Sequence, residues 1–300
     1  MSHQCHVRIR FFRPPADLGR FFTTFYLAEI TVPQGGRAVD YLHPEWANLR
    51  FHKGAHEDGR LEAENHAGQR IVGVDFAATG PSGHALRFEV GTCRIWGIGL
   101  MPLGWAKFVA APADALADAV VDGQVDPAFA AFRPLADTLF AAEPDAEGEL
   151  ARIAAHFTGL THGPVADEER IMAIHTVLVD PDVSTVAELV RRVGFSPRTV
   201  ERVCARAFGF SPKLLLRRQR FMRSLSEYML DPTLKWIGAL DGHYHDQAQF
   251  VREFREFMGM TPRQYGGLDH PILNAIMNER ARMAGAAVQA LDAPNGRRGA

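Results

Sequence analysis

An internal repeat near the C-terminus constrains the fold of this chain more than any other feature. Residues 195–212 read FSPRTVERVCARAFGFSP and residues 244–262 read YHDQAQFVREFREFMGMTP, with matching positions 50 residues apart. Each copy carries an apolar stripe, an arginine (Arg202 or Arg252) and a closing Gly-x-[Ser/Thr]-Pro. A repeat at a fixed spacing indicates one supersecondary unit used twice. Two similar short helices in one small domain suggest a duplicated recognition element, and DNA is a partner that itself repeats.

The composition sets the outer limits. A length of 300 residues with 47% hydrophobic content predicts two domains, each able to bury a core. No stretch approaches the roughly 18 uninterrupted apolar residues of a membrane span, and the N-terminus lacks the apolar core of a secretory signal. Three isolated cysteines (Cys5, Cys93 and Cys204) fit neither a disulfide framework nor a metal ribbon. We therefore expect a reduced, cytoplasmic protein.

The charge is distributed unevenly along the chain. The net charge is −2, yet residues 184–265 hold 14 Lys/Arg against 8 Asp/Glu. A basic C-terminal segment favours nucleic-acid binding, because neutralised phosphates supply most of that affinity. The same excess is also compatible with an ordinary solvated surface, so charge alone does not decide.

The first copy of the repeat has the pattern of a helix-turn-helix. Thr185 with Glu188 has capping-box spacing and opens a helix that Gly194 stops. Ser196 and Pro197 then restart the chain as N-cap and first helical residue. In this second helix the buried stripe is Val200, Cys204, Ala207 and Phe208, and the residues left pointing outward are Arg198, Thr199, Arg202 and Arg206. The second helix of such a motif enters the major groove.

The second copy follows the same plan. Its first helix is predicted to start at Asp231 and to run to Leu240, before a turn at 241–242. Asp246 with Gln249 makes a second capping pair, and the residues left outside are His245, Gln247, Gln249 and Arg252. Between the copies, residues 211–230 predict a helix of roughly 18 residues, or about 27 Å at 1.5 Å per residue. Such a connector can hold two recognition helices in adjacent major-groove segments, about 34 Å apart.

These features resemble the AraC/XylS family of bacterial transcription regulators. The resemblance covers residues 170–266 and rests on the paired motifs, the connecting helix with its RRQR run, and the closing HYHDQAQFVREFREFMGMTPRQY. It implies that each recognition helix reads one promoter half-site. The implied base readers are Arg198, Arg202, Gln247, Gln249 and Arg252, since Arg pairs with guanine and Gln with adenine. The implied phosphate contacts are Arg206, Lys213 and Arg255, and Ser196, Thr199 and His245 complete the predicted DNA-binding set.

The resemblance departs from the family pattern at one place. The family usually has glycine where His243 precedes Tyr244, and here Gly242 lies one position earlier. We therefore expect a reshaped second turn.

The N-terminal half predicts a different architecture. Residues up to about 110 form short β-branched and aromatic runs separated by PQGG and GPSG, which predicts strands and turns. From Ala113 the pattern becomes helix-like. Part of this region resembles an uncharacterised sensor-type domain found ahead of such regulators. The predicted fold class is multidomain: an α+β, strand-rich N-terminal domain, then an all-α DNA-binding domain with two helix-turn-helix motifs joined by a long helix.

The predicted divisions follow from these patterns. Residues 1–145 form an effector-binding or dimerisation domain, 146–169 a linker and connecting helix, 170–268 the DNA-binding domain, and 269–300 a C-terminal helix with a disordered tail. The predicted function is a sequence-specific transcription regulator that binds double-stranded promoter DNA. A small-molecule effector, a homodimer and, for an activator, RNA polymerase are the further partners considered. No catalytic residue, cofactor or membrane partner is predicted.

Two alternatives remain open at this point. One is a DNA-repair alkyl acceptor using the same DNA-binding module, although Cys5 and Cys93 do not form the cysteine cluster that such chemistry needs. The other is a regulator whose N-terminal domain is only a protein–protein module; an apolar pocket would argue against it, and a flat apolar patch would favour it.

Two smaller features of the N-terminal half are ambiguous. His52 and His56, with His43 and His66 nearby, can be read as metal ligands, but the two glycines of FHKGAHEDG disfavour the helix that His-x3-His needs, so no metal is predicted. Three glycines either line a pocket or make turns, and turns are the favoured interpretation: Gly97, Gly99 and Gly104.

Overall fold

The computed structural model describes residues 5–55, 59–230, 236–284 and 288–294. Two antiparallel β-sheets form the N-terminal half, and helices form the C-terminal half. The strand-rich domain followed by a helical domain is thus confirmed. No helix in this described part of the chain is both long and apolar enough to cross a membrane.

The larger sheet has six strands and the smaller sheet has four. In chain order the strands are β1 His6–Phe12, β2 Phe22–Thr31, β3 Ala38–Leu42, β4 Ala47–Gly54, β5 Leu61–Glu64, β6 Arg70–Val74, β7 Phe76–Thr79, β8 Leu86–Val90, β9 Cys93–Leu100 and β10 Val120–Asp122. The larger sheet has the order β1-β2-β9-β4-β7-β10, and the smaller sheet β3-β8-β5-β6.

Both faces of the larger sheet are buried, and they belong to two different cores. Along β2, Tyr26, Ala28 and Ile30 face the smaller sheet, whereas Phe25 and Leu27 face the helices. This division follows from the period of two in a strand. A sheet covered on both sides explains why the strand sequences are nearly continuous in apolar residues instead of alternating.

The glycines of β9 are not turn residues, so the favoured interpretation was wrong for them. Gly97 and Gly99 lie within β9, and Gly104 lies in a helix. A Cβ atom on Gly97 would lie 1.9 Å from the ring of Tyr26, the residue opposite it in β2. Gly97 is therefore needed because the tyrosine ring crosses the sheet at that point, and Gly99 lines a cavity beside it.

The helix predicted from Ala113 is largely absent. A short 3-10 helix covers Ala113–Leu116, and the chain then turns at Asp118, whose φ is +58°, to form β10. Helix α1 (Pro102–Phe108) precedes this segment. A second 3-10 helix (Pro127–Phe132) and then α2 (Arg133–Thr138) follow it. The left-handed residue breaks the helical pattern, because αL geometry cannot continue a right-handed helix.

Residues 146–169 are not a free linker, because α3 (Ala146–Gly159) is docked on the larger sheet. The fully buried carboxylate of Glu149 accepts two hydrogen bonds from Arg94, each 2.8 Å, and one of 2.7 Å from the indole N–H of Trp96. Phe157, also on α3, packs edge-on against Phe22. The position of the domain boundary stays a prediction, but this helix belongs physically to the N-terminal core.

The helical half contains the following elements in chain order: α4 Glu168–Leu178, α5 Val186–Val193, α6 Pro197–Val203, a π-helical turn Cys204–Phe208, α7 Pro212–Leu230, a 3-10 turn Trp236–Ala239, α8 Gln247–Met258, α9 Pro262–Tyr265, α10 Leu273–Ala284 and a 3-10 turn Gln289–Leu291. In the described residues, a single 3-10 turn replaces the first helix predicted for the second copy; its expected start at Asp231 lies outside them. Residues 295–300 of the predicted tail lie outside them too.

The two helix-turn-helix motifs bury their inner faces in different cores. Leu189, Val200 and Cys204 of the first motif join one cluster with Trp105, Phe157 and other N-terminal residues. The second motif packs Phe250, Phe254 and Phe257 against α7 and against Leu273 and Met277 of α10. The C-terminal helix is therefore part of the second motif's core.

Candidate nucleic-acid interface

The first helix-turn-helix motif forms as its capping residues predict. The Thr185 hydroxyl accepts the N–H of Glu188 at 3.2 Å, and Gly194 ends α5 with φ +72°. Ser196 then caps α6 by accepting the N–H of Thr199, also at 3.2 Å. The predicted stripe of Val200, Cys204, Ala207 and Phe208 is buried. This burial fixes which face of α6 remains exposed to a partner.

The exposed side of α6 and of the π-helical turn after it carries the predicted DNA contacts of the first motif. Arg198, Arg202 and Arg206 are exposed, and Thr199 is half-buried. Lys213, at the start of α7, is exposed and lines a groove that also contains Gln249. The structure brings these basic side chains together around the first motif, while their contact with DNA stays a prediction.

Arg202 is already engaged in an ion pair. Its guanidinium donates to both carboxylate oxygens of Asp167, at 2.7 and 3.3 Å. Asp167 is the N-cap of α4, has φ +56°, and also pairs with Arg170. The hydrogen bonds from Arg202 and Arg170 lower the pKa of Asp167 to about 2. The carboxylate is therefore charged at neutral pH and holds the arginine in an ion pair.

Helix α8, the predicted recognition helix of the second motif, is capped in the same way at both ends. The carboxylate of Asp246 accepts the N–H of Gln249 at 2.6 Å, and Gly259 ends α8 with φ +70°. The exposed residues of this region include His245, Gln247, Arg252 and Arg255, and Gln249 is half-buried because its side-chain oxygen accepts the N–H of His245. Four of the five predicted polar residues therefore remain free to face a partner.

The turn before α8 is reshaped around an aspartate, as the unusual His243 predicts. The carboxylate of Asp241 accepts both the backbone N–H and the ring N–H of His243, at 2.9 and 3.0 Å, and pairs with Arg223 of α7. Burial alone would raise the pKa of Asp241, but the bonds from Arg223 and His243 lower it overall. An Asx-type turn thus replaces the expected glycine turn.

The arginines of α7 hold the domain together and are not a free basic face. Arg217 pairs with Glu253 and Glu256 of α8, and Arg220 also pairs with Glu253. Arg218 is fully buried and points to the N-terminal domain, where its guanidinium lies 4.1 Å from the ring centre of Trp46. Burial lowers the pKa of Arg218 to about 9. Net charge therefore overstates the basic surface of this domain.

Arg218 also donates to backbone carbonyls of the N-terminal domain. Its Nη1 lies 2.9 Å from the oxygen of Ser82 and 3.2 Å from that of Glu45. A helical pattern of charges predicts solvent exposure, so sequence reasoning missed this contact. The arginine run itself was a signal, because positions 217 and 220 share one helix face and position 218 lies on another.

Two adjoining cavities lie between the N-terminal sheets and the C-terminal helices, with volumes of about 30 and 60 Å³. The smaller is lined by apolar side chains of both sheets, among them Ala28, Ala63, Phe88 and Ile95. The larger reaches the helices through Met222, Met277 and Arg280. Arg50 and Tyr26 border both cavities and Thr79 borders the smaller one; the Arg50 guanidinium donates to Tyr26 at 3.1 Å and to Thr79 at 3.2 Å. Ligand sites occupy roughly 300–1,000 Å³, so a ligand here requires the walls to move apart.

The C-terminal helix α10 forms one wall of these cavities. Ile272 and Ile276 line the apolar cavity, whereas Leu273 and Met277 belong to the core of the second motif. The start of α10 is held by the fully buried Asp40 of β3, whose Oδ2 accepts the N–H groups of Ile272 and Leu273 at 3.0 and 2.8 Å. The sequence predicts a C-terminal helix here, as α10 shows, but not its contacts with the N-terminal domain.

Two cysteines and two of the histidines considered as metal ligands are buried, and burial shifts their pKa values. Burial raises the pKa of both Cys93 and Cys204 to about 12. Burial also lowers the pKa of His43 and His52 to about 3, so both are neutral. His56 lies outside the described residues. Thiols held in this protonated form are poor nucleophiles.

Two capped recognition helices on a shared connector define a double helix-turn-helix domain. Residues 189–267 match the family model described as "Helix-turn-helix domain". The C-terminal domain is therefore a helix-turn-helix domain of the AraC type.

Solved structures of similar overall architecture are distant. ToxT from Vibrio cholerae O395 has a TM-score of 0.40 at 9% identity, covering 87% of this chain and 96% of that chain. An unsaturated fatty acid-bound ToxT from strain SCE256 has 0.39 at 10%, covering 89% and 96%. The AraC-like transcriptional activator CuxR has 0.27 at 15%, covering 74% and 87%. Such low similarity carries no conclusion about the ligand. No curated protein matches the sequence.

Proposed function

We propose that the protein is a sequence-specific transcription regulator that reads promoter DNA with α6 and α8 and responds to a small molecule bound in its N-terminal domain. The observation that carries the proposal is the pair of capped helices whose outer faces expose Arg198 and Arg202 in one case and Gln247 and Arg252 in the other. Arginine and glutamine are suited to base edges in the major groove.

The remaining predicted residues have supporting roles in this proposal. Arg206, Lys213 and Arg255 contact phosphates, which positions the protein without reading sequence. Ser196, Thr199 and His245 lie at the starts of the two helices, the ends of a recognition helix that contact base edges.

The proposed effector is a small, mostly apolar molecule with one polar group. Its apolar part enters the cavity between the sheets, which at about 30 Å³ must open to admit it, and its polar group meets the Arg50, Tyr26 and Thr79 cluster. The cavity favours this reading over a pure protein–protein module. Because α10 is a wall of the cavity and part of the second motif's core, an effector that moves α10 changes the second reading head.

The alkyl-acceptor alternative has no support in the described residues. Burial raises the pKa of Cys93, and burial with the charge of Asp40 raises that of Cys5. A methyl acceptor needs an activated thiolate instead.

The experiment is a DNA-binding titration of the full chain. Fragments from upstream of its own gene and random DNA of equal length are titrated at several salt concentrations, for wild type and Arg202→Ala. We expect a loss of roughly tenfold to a hundredfold on the specific site and much less on random DNA. Arg191→Ala is the matched control, because Arg191 is exposed on α5 and outside the predicted set. Equal losses for both variants on both DNAs would contradict base reading by Arg202.

The effector arm uses the same protein. Small apolar acids, amides and alcohols are screened by thermal shift on wild type and on Ala63→Leu, which adds volume inside the apolar cavity. A hit should stabilise the wild type and lose its effect in the variant, since a bound ligand stabilises the folded state. A hit that stabilises both proteins equally binds elsewhere and contradicts the proposed cavity site.

A further inference from the structure

Three loops at one end of the N-terminal domain bring together two histidines and an aspartate. His66 lies in the turn after β5, His84 in the loop before β8, and Asp118 just before β10. One ligand atom from each residue lies within 4.8 Å of the others. The residues are far apart in sequence and show no metal-binding spacing, so the sequence offered no signal for the group.

The geometry of the group is close to that of a coordination sphere. The Nδ1 atom of His84 and the Oδ2 atom of Asp118 are 3.0 Å apart, and the His66 and His84 rings stack with centroids 3.8 Å apart. Metal–ligand distances of about 2.0–2.2 Å put neighbouring ligand atoms roughly 3–3.5 Å from each other.

The aspartate is held in place by its surroundings. Its Oδ1 atom accepts the backbone N–H groups of Gly83 and His84, at 2.7 and 3.0 Å. Its backbone carbonyl accepts the Asn65 amide at 2.7 Å, which ties it to the turn that carries His66. Outer contacts of this kind orient metal ligands and hold the site together.

We propose that His66, His84 and Asp118 bind a divalent transition-metal ion of the zinc class. Two imidazoles and one carboxylate suit zinc, nickel or cobalt, whereas calcium and magnesium prefer oxygen ligands alone. Three protein ligands leave a coordination position for water or for a further ligand. The ion replaces the hydrogen bond between His84 and Asp118.

The location of the site connects it to α7 and α8 of the helical half. In the loop that carries His84, the carbonyl of Ser82 accepts from Arg218 of α7, and the N–H of Ala85 donates to the carbonyl of Phe257 in α8 at 2.7 Å. A bound ion fixes this loop and therefore its contact with the second recognition helix. This consequence for DNA binding rests on the proposed function, whereas metal binding itself does not.

The test measures metal binding on the full chain after chelator treatment and dialysis. Zinc is titrated calorimetrically, and cobalt is followed by its visible absorption, which reports nitrogen and oxygen ligation. We expect one equivalent in the wild type and a loss of affinity of at least about tenfold in His66→Ala and Asp118→Asn. His66 is exposed, so His66→Ala retains the fold, and His162→Ala is the matched control, an exposed histidine elsewhere. Wild-type affinity in His66→Ala overturns the proposal.

A second measurement separates the site from the proposed function. DNA affinity is compared with and without zinc in wild type and His66→Ala. A zinc effect present only in the wild type supports the connection between the site and α8. DNA binding that ignores zinc, while calorimetry still shows one His66-dependent equivalent, overturns that connection and leaves the metal site supported. Specific DNA binding without any His66-dependent metal uptake overturns the site and leaves the regulator proposal intact.

Discussion

The first helix-turn-helix motif packs into the same core as the N-terminal domain, whereas the second packs against α7 and α10. In the first, Trp46 lies edge-on to Phe208 with ring centres 5.8 Å apart. In the second, the cluster of Phe221, Phe250 and Phe254 is internal to the helical half. Repeated sequences thus acquire different partners. The first motif is thus fixed to the N-terminal domain by a shared core, whereas the second contacts that domain through α10 and the His84 loop.

The largest expected effect comes from removing the anchor of α3. Glu149→Ala leaves Arg94 without its buried carboxylate, and breaking a buried pair in this way costs about 3–5 kcal/mol of unfolding free energy. Because α3 shares its core with the first motif, we expect DNA binding at the first half-site to weaken along with stability. Chemical denaturation measures the loss, and Glu147→Ala on the exposed side of α3 is the control. Similar stability of the two variants would show that α3 is not an anchor.

The next effect compares the two reading heads directly. Arg202→Ala and Arg252→Ala remove equivalent positions of the repeat, and each should weaken specific binding roughly tenfold to a hundredfold. Footprinting should show protection lost from one half-site in each variant, and from a different half-site in each. Loss of the same half-site in both variants would mean that the two helices do not read separate sequences.

The sequence predicted the secondary structure of the helical half far better than that of the N-terminal domain. Capping residues such as Ser196 and Asp246 act within three positions, so local spacing is enough to place α6 and α8. The burial of Arg218 and the capping of α10 by Asp40 depend on residues well over a hundred positions away. Local patterns carry no information about such contacts. The same limit hid the engagement of Arg202 by Asp167, because an exposed helix position gives no indication of a partner 35 residues earlier.

A smaller effect distinguishes the attachment of the second motif. Asp40→Ala removes the cap of α10, and loss of an N-cap costs about 0.5–2 kcal/mol. The same carboxylate bonds to the ring of His270 at 3.0 Å. Thermal unfolding should show the loss, with Asp269→Asn, an exposed neighbour, as the control.

The pair of Asp40 and His270 also predicts that the stability of the protein depends on pH. Burial alone would lower the pKa of His270, but the hydrogen bond and charge of Asp40 raise it overall. Its stabilisation is complete below the ordinary value of about 6.5 and is lost as pH rises through the raised value. Asp40→Asn keeps a capping oxygen and removes the charge, so its melting temperature should vary less with pH in this window. An unchanged pH profile in the variant would contradict the assignment.

The smallest expected effect concerns the first motif alone. Asp167→Asn weakens the hold on Arg202, so specific DNA affinity should rise, by up to about fivefold, because exposed ion pairs are weak. Asp182→Asn removes the same charge from an exposed site in the loop between α4 and α5, and it controls for net charge. Equal gains in both variants would indicate simple electrostatics instead of competition for Arg202.

The capping of α10 by Asp40 has a consequence for how the protein is made. The carboxylate and its N–H partners are 232 and 233 positions apart along the chain. At translation rates of about 5–20 residues per second, Asp40 emerges roughly 10–50 s before its partners are synthesised. During that interval the cavity lacks the wall that Ile272 and Ile276 supply. A nascent chain is therefore unable to close this cavity until both α6 and α8 have been synthesised.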